Sequence, residues 1–235
     1  MALHIWGRLS SLNVRKVVWA AQETGVAFTR SDAGLAFGVV KTPEYLAMNP
    51  NALVPTLQDG DFTLWESNAI VRYLCAKYGA PTLGTSVSSL PPEGASPGLG
   101  RPGAAAGNAH LYPQDLAQRF DAERWMDWQQ TTLNRESGGA FVQWFRTPAD
   151  KRDPAVIARS TAATEPALAQ LNAHLADRPW VCGEHFSMAD IPVACDVHRW
   201  FGLPQPRPDW PHLERWFAAI LARPATRGVL DLPLS

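Results

Sequence analysis

The sequence predicts two folded units of different class: a small α/β domain followed by an all-α helical bundle. Three observations carry this. The first 79 residues alternate short apolar runs with helical patterns, while everything from about residue 113 shows helical periodicity alone. Between them lies a stretch made mostly of Gly, Pro, Ala and Ser, with almost nothing to bury. At 235 residues the chain is long for one compact domain and comfortable for two.

Within the first unit, "LHIWG" reads as a strand, "NVRKVVWAAQETG" as a helix stopped at Gly25, and "VAFTRSD" as a second strand. Strand, helix and strand in about 30 residues make a βαβ unit, with a right-handed crossover and a parallel pair. After "AGLAFGVVK" comes a short helix in "TPEYLAMNP", where Thr42 caps, Pro43 fits the first helical position and Pro50 closes. "VPTLQDGDFTLWES" reads as a hairpin with its turn at Asp59-Gly60. "SNAIVRYLCAKYG" follows as a third helix stopped by Gly79. The order β-α-β-α-β-β-α predicts a mixed sheet with helices packed on it.

The expected boundaries are 1–79 for the α/β domain, 80–112 for a Gly/Pro-rich interdomain linker or insert, and 113–235 for the bundle. In the bundle, helices are expected in "QDLAQRFDAERWMDWQQTTLN", "DPAVIARSTAATEPALAQLNAHLAD", "SMADIPVACDVHRWFG" and "WPHLERWFAAILAR". Many of the ten tryptophans fall here. Trp125 and Trp128 lie on neighbouring faces of one helix, where core packing competes with a role in a binding pocket.

Apolar residues make up 46% and charged residues 18%, which suits real cores and argues against disorder. A formal net charge of -1 without a Lys/Arg cluster speaks against a nucleic-acid partner. The N-terminus lacks a basic segment followed by an apolar run, and no stretch of about 18 apolar residues occurs, so a soluble, cytoplasmic protein without a membrane partner is expected. Three cysteines, none in a CxxC pair, fit a reducing compartment. The six histidines show no zinc-ligand spacing, and no metal is expected.

Candidate chemistry gathers in the first unit. Ser10 and Ser11 sit at the strand-to-helix turn. Ser11 suits a helix N-cap; equally, a hydroxyl there lies at the positive end of the helix dipole and can donate to an anion, such as a thiolate. Pro55, second in its strand, is either a turn proline or a cis residue that turns the Val54 backbone outward to pair with an extended peptide. Glu66 and Ser67 either open the third helix or face a ligand carrying both an ammonium and a carboxylate.

Four stretches, "SSLNVRKVVW", "NPNALVPTLQDGDFTLWESNAIVRYL", "RWMDWQQTTL" and "FSMADI", together resemble bacterial cytosolic glutathione S-transferases, closest to theta-like members. The resemblance covers the chain apart from the Gly/Pro-rich insert. It implies a thioredoxin-like first domain that binds glutathione as co-substrate, and a helical second domain that supplies most of a pocket for a small apolar electrophile. Ser11 matches the family's catalytic serine, Ser10 the position where beta-type members carry cysteine, and Asn13 a residue that helps orient the thiol. Val54 matches the residue whose backbone pairs with the glutathione cysteine, Pro55 the cis-proline, and Glu66 and Ser67 the γ-glutamyl contacts. Where relatives often carry Gly-Lys, this chain has Ala52-Leu53, so Leu53 replaces a lysine near the glycine carboxylate; either glutathione affinity is weakened, or Lys41 and the backbone near Phe37 and Gly38 substitute. Arg8, Leu9, Arg124, Trp125, Trp128 and Trp144 are the expected electrophile pocket. Ser187 and Asp190 resemble the family's buried capping box, a folding element. A homodimer is implied as well.

The implied reaction is attack of bound glutathione thiolate on an electrophilic carbon. Lowering a thiol from ~8.5 by about two units requires roughly 2.7 kcal/mol of selective thiolate stabilisation, within reach of one hydroxyl and a helix N-terminus. No serine lies in a G-x-S-x-G elbow, which speaks against a hydrolase. The competing readings are a glutathione-dependent disulfide reductase or dehalogenase, and a non-catalytic ligand-binding or interaction protein on the same fold.

Overall fold

The computed structural model describes residues 3–79 and 110–234; most of the 80–112 segment lies outside the described residues. The first half is built on a four-stranded sheet of order β2-β1-β3-β4. β1 (Leu3–Trp6) runs parallel to β2 (Phe28–Ser31) and antiparallel to β3 (Thr56–Asp59), which pairs antiparallel with β4 (Phe62–Trp65). Alternation sorts the faces: Leu3 and Ile5 of β1 and Leu57 of β3 are buried, while Trp6 points the other way. There its ring meets Tyr45 of α2 (Pro43–Met48) edge-on at 6.2 Å. Thr42 caps α2 by accepting from the Tyr45 amide, with Pro43 in the first turn.

The hairpin turn falls one residue later than Asp59-Gly60. Asp59 pairs with Phe62, leaving Gly60 and Asp61 as the loop, with Gly60 at φ 63°. The side chain of Asp59 explains the shift, because it is engaged with α3 (Ser67–Tyr78). Its Oδ2 accepts from the Tyr73 hydroxyl (2.7 Å), the Tyr78 hydroxyl (2.6 Å) and the Lys77 ammonium (2.6 Å). Burial pushes this carboxyl up, but those three bonds outweigh it and hold the group at about 2. A carboxylate held below its unfolded value of ~3.9 stabilises the fold above that pH and loses the contribution as pH falls from about 4 to about 2. The urea midpoint of the wild type should therefore fall more steeply than that of Asp59→Asn below about pH 4. A parallel decline in the two proteins would remove Asp59 from the acid response.

α1 (Leu12–Thr24) packs on one side against α3 and on the other against α7 (Asp190–Phe201) of the second half. Burial on both sides accounts for the continuous apolar run Val17 to Ala21 in place of a single stripe. Glu23, also on α1, takes a bidentate pair from Arg223, both contacts at 2.7 Å, and Arg223 stacks over Phe186 at 3.7 Å. Thus the two halves share one helix as well as a boundary.

The second half is helical: α4 (Leu116–Trp128), α5 (Asn134–Phe141), α6 (Pro154–His174), α7 and α8 (Pro211–Leu221). α5 carries a Gly138-Gly139 pair, two poor helix formers in its interior. Gly139 is a close approach, since a Cβ there would meet the Ser160 Cβ of α6 at 3.3 Å. π turns at Gln129–Leu133 and Val142–Arg146 join α4 to α5 and prolong α5. Asp190 carries the capping box. Its carboxylate accepts from the Ser187 amide (2.9 Å), the Val181 amide (2.9 Å) and Trp216 Nε1 (2.8 Å), all buried. Among the described residues no helix is long and apolar enough to cross a membrane.

Candidate active site

The turn between β1 and α1 is held in place from several sides. Gly7, at φ 146°, lets the chain pass so close to α1 and the β3 entry that a Cβ would meet Val14 Cγ2 at 2.4 Å and Val54 Cβ at 3.2 Å. Arg15 donates from Nε to the Leu9 carbonyl at 2.7 Å, and its other nitrogens bond the carbonyls of Leu232 (3.2 Å) and Pro233 (2.7 Å). Arg146 donates to the Ser10 carbonyl at 3.2 Å. The turn is therefore fixed by two guanidinium groups, neither of which stood out in the sequence.

Ser11 occupies the N-cap position of α1, with φ -91° and ψ 122°, yet its side chain makes no capping hydrogen bond. The helix accepts at this residue through the backbone: the Ser11 carbonyl bonds the amides of Val14 (3.1 Å) and Arg15 (3.0 Å). The hydroxyl is left for something else. It stands at the positive end of a 13-residue helix, and Arg146 bonds the carbonyl of the preceding Ser10. Burial, and then repulsion from Arg146, pull the Arg8 guanidinium below its ordinary value, a sign of positive charge concentrated here. Asn13 Oδ1 is buried and accepts no hydrogen bond.

The second wall is the loop entering β3. The Val54-Pro55 bond is cis and Pro55 is buried. Tyr45 and Asn49 build this loop from beneath: the Tyr45 hydroxyl donates to the Leu53 carbonyl (2.7 Å), and Asn49 Nδ2 bonds the same carbonyl (3.0 Å) and Thr56 Oγ1 (3.0 Å). Ala52 lies at φ 54°, where the family's glycine would be at ease. Gly34 brings the loop after β2 against Arg8 and Val54. From that loop Phe37 projects at 54% exposure, Lys41 is exposed beyond it, and Leu53 is 64% exposed.

The third wall is the start of α3. Glu66 precedes the helix at φ 70° and ψ 110°, a region that side-chain-bearing residues rarely adopt, with its carboxylate exposed and making no capping bond. Ser67 is buried beside it.

This fold and these three walls can be compared with known proteins. The model of the glutathione S-transferase N-terminal domain matches residues 1–76, and that of the glutathione S-transferase C-terminal domain matches 154–219. Glutathione S-transferase GstB of Escherichia coli (strain K12) is 35% identical over 233 residues, which are 98% of this chain and 99% of the relative. The chain belongs to the glutathione S-transferase family. A crystal structure of the theta class glutathione S-transferase from Xanthomonas axonopodis pv. citri, with glutathione bound, superposes with a TM-score of 0.85 at 41% identity, covering 100% of this chain and 99% of that one. Glutathione S-transferase 3 of Zea mays is 30% identical over 99% of this chain and 95% of its own length.

The expected electrophile pocket of this glutathione S-transferase needs correction in its bundle residues. Trp125 is only 6% exposed and packs into the helical core, against His174 at 4.4 Å and Trp128 at 5.0 Å. Arg124 pairs with Asp121 and faces solvent. Trp144 donates to Gln205 Oε1 at 2.9 Å and lines an open groove with Ile157, Thr161 and Pro206, apart from the serines. What the structure gathers beside Ser10 is Leu12, Arg15, Phe141, Cys195, His198 and Arg199. Among these, burial pushes the Cys195 thiol up to about 12 and, together with Arg15, pulls His198 down to about 4, so both are neutral at physiological pH. The cause of the correction is helical phase: the α4 residues that touch the first half are Glu123, Met126 and Asp127, which bond Asn68 and Arg72 of α3 and leave Trp125 on the other side.

Proposed function

We propose that this glutathione S-transferase activates glutathione as a thiolate at Ser11. The observation that carries the reading is the Ser11 hydroxyl, free of capping duty at the start of α1, in a turn where Arg146 bonds the Ser10 carbonyl and repels Arg8. As a donor to the thiolate it favours the charged sulfur, and the helix end and the two guanidinium groups act in the same direction. Ser11 is a hydrogen-bond donor here and not itself the nucleophile. Asn13, with an unpartnered oxygen, and Ser10 complete the thiol end.

Glutathione lies across the three walls. The Val54 backbone, set by cis-Pro55, pairs with the cysteine of the tripeptide, and Glu66 and Ser67 hold the ammonium and carboxylate of its γ-glutamyl end. Lys41 and the loop bearing Phe37 face the glycine carboxylate, beside Leu53. An electrophile of apolar character then enters past Arg8, Leu9, Leu12 and Phe141. Residues 1–79 act as the glutathione-binding unit and 113–235 as the electrophile-binding unit of a cytoplasmic enzyme. A homodimer fits the exposed apolar side chains of Phe62 and Trp65 on β4 and of Leu116 and Phe120 at the start of α4.

The strained backbone at Glu66 gives a test of the polar end. Glu66→Gln keeps the shape and removes the charge that faces the glutamyl ammonium. A charge-assisted bond is worth about 1.5–3 kcal/mol, so KM for glutathione should rise about tenfold or more, with the smaller share of the loss in kcat. Steady-state kinetics with varied glutathione decide it; an unchanged KM would move the γ-glutamyl site away from Glu66.

A further inference from the structure

Lys16 of α1 is wholly buried, between the two halves of the molecule. Its ammonium donates to Asn68 Oδ1 (3.3 Å), Gln129 Oε1 (2.8 Å) and Gln130 Oε1 (3.1 Å), so three bonds end on three neutral amides. Gln129 and Gln130 are consecutive, and consecutive residues of an α-helix do not face one point. The π turn that begins at Gln129 lets both converge on the same cation. Asn68 follows Ser67 directly and is tied to the helical half again, donating to the Met126 carbonyl at 2.7 Å. Behind them Gln129 donates to Asp196, which also accepts from Ser137 (3.2 Å) and Arg199 (2.5 Å).

A buried ammonium with only neutral partners is costly, and a fold that needed mere packing here would do better with an apolar side chain. We propose that Lys16 is a positioning residue for glutathione: its cation pins the Ser67-Asn68 start of α3 to the helical half and supplies positive charge beneath the γ-glutamyl end. This rests on the reading that Glu66 and Ser67 take that end. The charged and titratable groups acting on Lys16 are Asp196, Cys195 and Arg199 of α7, and Glu66 at the start of α3. Burial pulls the ammonium down to about 8, against Asp196 and Glu66, which favour the charged form, while Arg199 opposes it and the Cys195 thiol stays neutral. A ligand of net negative charge bound beside it favours the ammonium, so by linkage affinity falls as Lys16 loses its proton.

S-methylglutathione is the probe, because its blocked sulfur removes thiol ionisation from the comparison. Its Kd is measured by calorimetry for wild type and Lys16→Met from about pH 7 to about pH 9, where an ammonium of this kind titrates and a free lysine does not. At pH ~7 the variant should bind about tenfold more weakly, and the ratio of the two Kd values should shrink as wild type loses its own proton. The ratio cancels the ionisation of the probe itself. In turnover, the loss should fall mainly on KM for glutathione. Equal affinities at pH ~7, a penalty constant across the range, or a loss mainly in kcat overturns the proposal. Gln130→Leu keeps the cation with one acceptor fewer, so the pH at which affinity weakens should move down; an unmoved profile also overturns it, even where Lys16→Met fails to fold. Failure of the wild type to bind the probe at all refutes the glutathione site and this inference together.

Discussion

Ser11→Ala is expected to return the thiol of bound glutathione toward ~8.5 and to lower kcat/KM at pH ~7 by about 25-fold, while leaving the unfolding free energy nearly unchanged. The two halves of that expectation come from one observation. An ordinary serine N-cap is worth about 1 kcal/mol through its bond to an orphan amide, but the Ser11 hydroxyl makes no such bond. Its removal therefore takes little from the fold. What it takes is the proposed donor to the thiolate, and two units of thiol pKa, from about 6.5 to about 8.5, change the reactive fraction at pH ~7 by about 25-fold. Thiolate ultraviolet absorbance in a pH titration of the two proteins, with urea unfolding of each, separates the roles. A loss of about 1 kcal/mol with the thiol pKa unmoved would make Ser11 a cap and nothing more.

Asp190→Ala should be the most destabilising single change in the described structure that leaves the chemistry alone. The carboxylate satisfies two buried amides and the Trp216 indole, and nothing in the site around Ser11 touches it. Truncation strands the Val181 and Ser187 amides, the Trp216 indole and the Ser187 hydroxyl, and opens a cavity, for a loss of about 3–5 kcal/mol. Denaturant melts should show a lower midpoint at constant slope, and KM for glutathione should be that of the wild type at temperatures where the variant is folded. A midpoint within the error of wild type would mean that water takes over the orphaned donors. Asp190→Asn, which retains one acceptor oxygen, should fall between the two.

Much of this architecture is legible in the residues because the relevant signals are local. Alternation in "LHIWG", the stop at Gly25, Thr42-Pro43 before a helix and the Asp-Gly pair each depend on neighbours within a few positions, and the elements they imply are present. The cis bond before Pro55 is legible only in part: the sequence fits a turn proline or a cis bond equally, and the structure puts Pro55, after a cis bond, immediately before β3. What stays hidden is the support. Arg15, Lys16 and Arg146 read as ordinary charges on helical patterns; only the packing of α1 on α7 and the two π turns bring them under the serines and under Ser67. Tyr45 and Asn49 likewise look like helix-end residues, although their side chains build the loop that carries Val54. Trp125 resolves toward the core, one of the two roles its sequence admits. An aromatic residue near a suspected cleft invites a binding role, and one step of helical phase turns it into the core.

The sharing of α1 between both halves limits how such proteins can diversify. Exchanging the helical half for that of a relative is an obvious way to obtain a new electrophile preference, because the glutathione end is left in place. In this molecule the exchange would cut through Lys16 with Gln129 and Gln130, Arg15 with Leu232 and Pro233, and Glu23 with Arg223. A recombinant would inherit under-partnered charges on the helix that presents Ser11, the cations Arg15 and Lys16 and the anion Glu23, unless the incoming half brought matching partners. Drift in substrate choice is thus steered toward point changes within one half, such as at the residues gathered beside Ser10, and away from modular shuffling.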